Sequence, residues 1–295
     1  MKCFYHNDSD GKCAGYWVAM SAALNNDDHP SEFIQIDYTM PFPLETILPN
    51  EQIYIVDYSI SPSEMDELLK ITADVTWIDH HITAIDKYKD YPHEIRGVRY
   101  DGVSGCMLTY CYLHKMTNRG AGAIKLFHVS MMDDAPLFTK LIDDWDIWRH
   151  QYGNDTKHFQ IAFNAYDFSP HSIEWGRFAP DTGDGGLIKQ GRIISRYSDG
   201  WATSYCASKG FEAIFEGYKC FALNLGLCNS EYFKSIDNSE YDILMPFSFD
   251  GSKWTYSMYS KTVDVSEIAK KYGGGGHKGA SGFTSSELLL RRSAQ

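Results

Sequence analysis

The segment His6-Asn7-Asp8-Ser9-Asp10-Gly11 sets one imidazole and two carboxylates within five positions, directly behind an apolar run. Hard donors at that density suit a divalent cation. Two further segments repeat the pattern. Ile55-Val56-Asp57 and Trp77-Ile78-Asp79-His80-His81 each place acid or imidazole straight after β-branched and aromatic residues. In an open α/β sheet the carboxyl ends of parallel strands converge on one crevice, so groups about 75 residues apart in sequence can share a site. The three segments therefore read as one constellation. Oxygen-rich donors with some imidazole point to manganese first and magnesium second, because a soft thiolate site would need paired cysteines beside the acids and this chain has none there.

Two such cations about 4 Å apart can clamp the attacking and leaving oxygens of a phosphoryl transfer, and can acidify a bridging water until hydroxide exists near neutrality. The pair needs a shared carboxylate. Asp57 is placed to bridge, with His6 and Asp8 on one ion and Asp10 and His80 on the other. A further acid would complete the donor set of the second ion, and Asp143, Asp144 and Asp146 are the candidates, among which spacing alone does not choose. His81, next to a ligand, is placed to contact a phosphoryl oxygen or to protonate a leaving group. Asp79 is cast as the partner that orients an imidazole. Singly, each residue has an ordinary explanation as a turn, cap or structural histidine; their convergence at three strand ends favours function.

A second cluster lies near the carboxyl end, Gly273-Gly274-Gly275-Gly276-His277-Lys278-Gly279-Ala280-Ser281-Gly282. Glycines let backbone N–H groups approach an anion, and His277 adds an imidazole donor, so Gly275, Gly276 and His277 suit a phosphate or the end of a nucleotide. The plain alternative is a flexible or tightly bent loop. If a second domain folds over the first, His277 faces the metals. Trp145, Trp148, Tyr166, Trp175, Trp201 and Trp254 are read as core and receive no site role.

The elements that position these groups follow from pattern. Lys2 to His6 reads as a strand and Cys13 to Leu24 as a helix, which leaves the first acids on the turn between them, where backbone N–H groups favour anions. Phe33–Ile36, Ile53–Asp57 and Val75–Ile78 are further strands, and Ser61-Pro62 with Glu64 is a capping box opening a helix over Met65–Ile71. Helices alternating with strands imply a parallel sheet. Helices are expected from Ser104 to Leu113 and from Ala135 to Ile142, the latter ending at the Asp143 cluster. Pro180, Gly183, Gly185 and Gly186 break regular structure over Ala179–Gly186. Beyond them Ile193, Tyr197, Trp201 and Tyr205 recur at helical spacing. Phe211–Leu225 and Tyr241–Tyr259 are β-rich with a hairpin turn at Asp250-Gly251, and Val265–Tyr272 forms a helix. The fold class is thus α/β: a parallel-sheet domain over 1–185, a linker helix over 186–209 and a smaller α/β domain over 210–295.

A chain of 295 residues is long enough for two cores. Its 39 acidic residues against 27 basic give a formal charge of −12, which opposes binding of long nucleic acid through counterion release and leaves room for a short phosphorylated ligand at a metal centre. Seven cysteines without a C-x-x-C pair read as reduced core residues. Met1 leads straight into the first strand with no leader of signal-peptide form, and no apolar run approaches the roughly 20 residues that span a bilayer. A cytoplasmic protein with no membrane contact is expected.

Taken in order, these motifs resemble those of the DHH phosphoesterases. Asp79-His80-His81 stands for the motif that names the family, His6-x-Asp8-x-Asp10-Gly11 resembles its first motif and Asp57 its second. Gly274-Gly275-Gly276-His277-x-x-Ala280-Ser281-Gly282 is similar to the signature of its carboxy-terminal associated domain, with Ser281 where alanine is frequent. The resemblance implies a pair of Mn ions held by His6, Asp8, Asp10, Asp57 and His80, with His81 and His277 touching the substrate phosphate in a cleft between the two domains. Asp144-Trp145-Asp146-Ile147-Trp148 is similar to a D-x-D-hydrophobic-W variant of the fourth motif and favours Asp144 as the remaining ligand. The compact two-domain length resembles nanoRNases and small-nucleotide phosphodiesterases more than RecJ-type exonucleases with their added nucleic-acid modules. The expected substrate is a very short oligonucleotide or a cyclic nucleotide, with a homodimer an option. The rivals are a pyrophosphatase or polyphosphatase of the same family and a non-catalytic nucleotide sensor.

Overall fold

In this computed structural model residues 1–24, 31–115, 129–178 and 183–290 are described. Ala179 to Thr182, in the expected break before the linker helix, and 291–295 lie outside them. The chain divides into two compact units, Met1–Ile194 and Ser195–Gln295.

The first unit is built on four parallel strands, β1 (Lys2–His6), β2 (Glu32–Ile36), β3 (Ile53–Val56) and β4 (Val75–Ile78), in the order β2-β1-β3-β4. Alternation along each strand divides the core between two faces. Cys3, Tyr5, Val56 and Ile78 pack with Cys13, Ala14 and Trp17 of α1 (Ser9–Leu24), Met107 of α4 (Gly105–Lys115) and Phe138 of α5 (Leu137–Asp146). Phe4, Ile53, Ile55, Val75 and Trp77 face the other way, onto Met65 and Leu68 of α2 (Pro62–Ile71). A parallel sheet covered on both faces needs the near-continuous apolar strands seen here. Each fully buried side chain of this size contributes about 1.5–3 kcal/mol by leaving water. The capping box is formed: Ser61 Oγ accepts from Glu64 N at 3.2 Å and Glu64 Oε2 accepts from Ser61 N at 2.8 Å. After α3 (Ile82–Lys87) the chain returns alongside β4, with Trp77 N donating to Arg96 O at 2.8 Å and Asp79 N to Val98 O at 3.1 Å. This contact requires Gly97, whose φ is 113° and whose added Cβ would meet Trp77 O at 1.9 Å. α6 (Asn154–Phe163) packs its Phe159 and Phe163 into the same core as α1.

The division between units falls within a 23-residue helix, α7 (Leu187–Lys209). The second unit is a mixed sheet of β5 (Phe211–Phe215), β6 (Tyr218–Asn224), β7 (Ile243–Phe249), β8 (Trp254–Tyr259), β9 (Gly275–His277) and β10 (Ala280–Ser285), ordered β5-β6-β7-β8-β10-β9. α8 (Val265–Lys271) covers one face through Val265, Ile268 and Ala269. The glycine-rich stretch is thus not a free loop. Gly275–His277 pairs antiparallel with β10, and glycine at 274 lets the two backbones approach, because an added Cβ there would lie 2.2 Å from Gly282 O. The seven cysteines are all free and buried. Among the described residues no helix is long and apolar enough to cross a membrane.

Candidate metal centre

β1 ends at His6, and α1 begins at Ser9, earlier than the apolar pattern implied. Asp10 therefore lies in the helix's first turn rather than on the preceding loop. Asp8 caps that helix, accepting from Gly11 N through Oδ1 at 2.8 Å. Its other oxygen, Oδ2, lies 2.7 Å from His6 Nδ1. Gly11 is dictated by the close seat of helix on strand, since a Cβ there would meet His6 O at 2.2 Å. Asp10, fully buried, accepts from Gly105 N at 2.7 Å and Cys106 N at 2.8 Å, so the amino end of α4 fixes and partly neutralises it.

Asp57, one residue past β3, is the focus. Its backbone N–H donates to Ile78 O at 2.9 Å and its φ is 52°, a left-handed conformation that side chains other than glycine adopt at a cost of about 1 kcal/mol or more and that clusters at functional sites. The side chain is 1% exposed, and neither oxygen has a hydrogen-bond partner among the described residues. His80 Nε2 lies 3.2 Å from Oδ1 and His6 Nδ1 lies 3.6 Å from Oδ2, without the alignment of a hydrogen bond. Gly105 presses on this residue: a Cβ there would lie 2.6 Å from Asp57 Cβ. A buried carboxylate without donors is costly unless a cation partners it. The residues present therefore fit a divalent metal.

Around Asp57 the donors fall into three sets, each with its donor atoms within 4.8 Å of one another: His6, Asp8 and Asp57; Asp10, His80 and Asp146; and Asp57, His80 and His81. Asp57 and His80 each belong to two. His80 Nε2 stands 3.4 Å from Asp146 Oδ2 and 3.7 Å from Asp10 Oδ2. Burial, then the charge of Asp10, pushes the Asp146 carboxyl up to about 8, and burial pushes Asp10 and Asp57 well above the carboxylate range. Asp57 and then Asp8 raise His6 to about 10. Without a cation this cluster retains protons; a cation would displace them.

The choice of Asp144 requires correction. Asp144 is fully buried and already used: it accepts from Gln151 N at 2.8 Å, from Tyr152 N at 3.4 Å and from Thr156 Oγ1, tying α5 to the start of α6. Asp143 likewise accepts from Ser104 N at 2.8 Å and Arg149 at 2.7 Å. Asp146 is the acid that meets the cluster. Asp79, also buried, accepts from His80 N at 2.8 Å through Oδ1, which sits 2.7 Å from His81 Nδ1, while Ser59 Oγ donates to Oδ2. It thus orients His81, whose pKa it raises. Gly275, Gly276 and His277 lie in the second unit, on an edge strand.

Sequence reasoning missed Tyr38. The residue is 56% exposed, and its ring stacks on Tyr58 with centroids 4.5 Å apart and stands 5.7 Å from the His6 ring and 6.3 Å from that of His81. It lies just past the end of β2, so the strand-end rule that singled out His6 and Asp57 applied there too. The fold and site together define an α/β protein with an acid–imidazole cluster at the carboxyl ends of a parallel sheet.

No family model matches the chain. A curated relative, an uncharacterized protein (R106) of Acanthamoeba polyphaga mimivirus, is 25% identical over 260 residues, covering 81% of this chain and 54% of its own length. The chain thus spans about half of that relative. Among solved structures, the pGpG-specific phosphodiesterase PggH of Vibrio cholerae is similar at 13% identity, covering 97% of this chain and 93% of that one, with a TM-score of 0.49. The exonuclease RecJ bound to manganese is similar at 13% identity, covering 98% and 86%, with a TM-score of 0.48. At these values the case for chemistry rests on the residues themselves.

Proposed function

We propose that this chain is a metal-dependent phosphoesterase of the DHH type that hydrolyses a phosphodiester in a short oligonucleotide or a cyclic nucleotide. One observation carries the reading: Asp57 sits buried with two donorless oxygens between His6 and His80, at the meeting point of two donor sets. His6, Asp8 and Asp57 would hold one ion and Asp10, His80 and Asp146 a second that shares Asp57, with manganese expected ahead of magnesium. Such ions supply Lewis acidity toward the phosphoryl oxygens and a water acidic enough to attack phosphorus near neutral pH. His81, held by Asp79 and raised in pKa, offers a proton toward the leaving oxygen or a hydrogen bond to a phosphoryl oxygen. Gly275, Gly276 and His277 of the second unit offer backbone N–H groups and an imidazole of a kind suited to a phosphate. The exposed Tyr38 ring beside His6 and His81 offers a face for a base, which pyrophosphate would not use. Free buried cysteines accord with a cytoplasmic setting.

The test is a substrate panel. Metal-stripped protein with and without Mn is incubated with a dinucleotide, cyclic AMP, cyclic dinucleotides and pyrophosphate. Mn-dependent cleavage of a nucleotide diester is expected. Orthophosphate released from pyrophosphate alone would transfer the site to a pyrophosphatase, and nucleotide binding without any turnover would make it a sensor.

A further inference from the structure

On the α2 side of the first sheet, a cavity of about 190 Å³ opens between β4, α3 and the segment that returns beside β4. The buried Trp77 ring lies at its base; Tyr88, Tyr91 and Arg99, all half-buried, and the exposed Lys89 and His93 surround it. No residue of this lining belongs to a donor set of the metal centre. The Arg99 guanidinium stands 5.2 Å from the centre of the Trp77 ring. Its Nη1 donates to Trp77 O at 3.1 Å and to Arg96 O at 3.2 Å, while Nε and Nη2 have no partner among the described residues. We infer that this cavity is a second binding site, for a small ligand made of one aromatic ring bearing an anionic group, with the Arg99 guanidinium pairing the anion and Tyr88 and Tyr91 flanking the ring.

The lining is charged in one sense. Lys89, His93 and Arg99 supply basic groups and no acid is among the lining residues, in a chain whose formal charge is −12. Lys89 is paired with Asp86 at 2.7 Å, but His93 and Arg99 have no ion pair among the described residues, and Asp79 and Glu94 act on Arg99 only from beyond ion-pair range. Burying a guanidinium without a carboxylate is costly and lowers the pKa of Arg99, and an anion brought by a ligand would offset that cost. The planar fork of arginine matches a carboxylate or phosphate bidentately. The other walls suit a ring. Aromatic centroids step from Trp77 to Tyr88 at 4.5 Å, on to Tyr91 at 4.9 Å and to His93 at 5.6 Å. The Tyr88 hydroxyl donates to Ile60 O at 2.9 Å and that of Tyr91 to Asp66 Oδ1 at 2.6 Å, so both rings are held by bonds made elsewhere and offer the cavity their carbon. Size sets the limit on the ligand. A cavity of about 150 Å³ holds benzene, so one of about 190 Å³ seats a single ring with its anionic group.

The test uses the full chain in chelator, so that no cation at the metal centre captures a carboxylate or phosphate. In calorimetric titration, wild type should bind benzoate at one site, about tenfold or more tightly than benzyl alcohol, which has the ring alone, or acetate, which has the anion alone. Uridine 5′-monophosphate, titrated beside benzoate, separates two sources of the same chemistry, a nucleotide and a free aromatic acid; the one that binds more tightly and depends on Arg99 names the occupant. Arg99→Gln, whose amide can still donate to Trp77 O, should weaken binding about tenfold or more. Where that variant fails to fold, a wild-type crystal soaked in bromobenzoate decides, through an anomalous bromine peak expected beside Tyr88, Tyr91 and Arg99. Equal binding of benzoate, benzyl alcohol and acetate, undiminished binding by Arg99→Gln, or bromine only elsewhere on the protein would overturn the inference. None of these readings depends on turnover, so their outcome is separate from that of the substrate panel.

Discussion

Asp57→Asn removes one charge while keeping side-chain volume, and asparagine is among the residues that tolerate the φ of 52° found here. In the metal-free protein the Asp57 carboxyl is a burden, because it is 1% exposed, has no hydrogen-bond partner among the described residues and must hold a proton that the unfolded chain has released or else stay ionised near Asp8 and Asp146. The variant should therefore equal or exceed wild type in metal-free stability, by about 1 kcal/mol. With metal the order reverses. A cation that binds only the folded state stabilises it by about 2.7 kcal/mol when present at ~100 times its dissociation constant. Two such ions give roughly 5 kcal/mol, and at about 2–4 °C per kcal/mol for a domain of this size the Mn-loaded wild type should melt roughly 10–20 °C above the metal-free protein. Asp57 sits in the first ion's donor set and its Oδ1 lies 3.2 Å from His80 Nε2 of the second, whereas Asp8 sits in the first set alone. Asp57→Asn should thus lose nearly the whole increment, while Asp8→Asn loses about half. Differential scanning calorimetry in chelator and in Mn reads both. An Asp57→Asn protein that keeps the full Mn increment would refute the shared-carboxylate argument.

Further expectations follow from the same geometry. In metal-free protein the folded-state values of Asp146, about 8, and His6, about 10, both exceed their ordinary ones, so the folded chain holds protons the unfolded chain has released. Stability should then fall as pH rises from about 4, the ordinary value of Asp146, to about 10, the folded value of His6, and Mn, which takes the place of those protons, should flatten the slope of Tm against pH. Asp146→Asn should abolish Mn-dependent turnover with little change in metal-free Tm, whereas Asp144→Asn should cost about 1–3 kcal/mol in denaturant unfolding through the lost acceptor for the turn into α6, and leave the folded fraction active. Gly105→Ala would put a methyl 2.6 Å from Asp57 Cβ and 2.9 Å from its Oδ1, and should weaken Mn binding by about tenfold or more in a calorimetric titration.

The parallel sheet was legible because each strand is a short apolar run ending in a polar group, and because the Ser61 box announces its helix in four residues. The site was legible for a related reason, since parallel strands deliver their ends to one edge, and the residues just past β1, β3 and β4 were the ones that met. The choice between Asp144 and Asp146 was not. Two positions apart on a helix point about 200° away from each other, and which of them faces the cluster depends on how α5 rotates against the sheet. The start of α1 was misplaced because Gly11 weakens local helix preference, yet glycine is there so that the helix can sit against His6. The glycines before His277 read as a loop on intrinsic preference, but Gly275 and Gly276 lie in an edge strand, and at Gly274 and Gly276 the partner backbone comes too close for a Cβ.

The central claim is that two cations share Asp57. A crystal soaked in Mn and measured at the manganese absorption edge tests it directly. Two cations so held would give two anomalous peaks, one on each side of the Asp57 carboxylate, the first against His6 and Asp8 and the second against Asp10, His80 and Asp146. A map with no peak at Asp57, or with a single ion bound elsewhere, would contradict it.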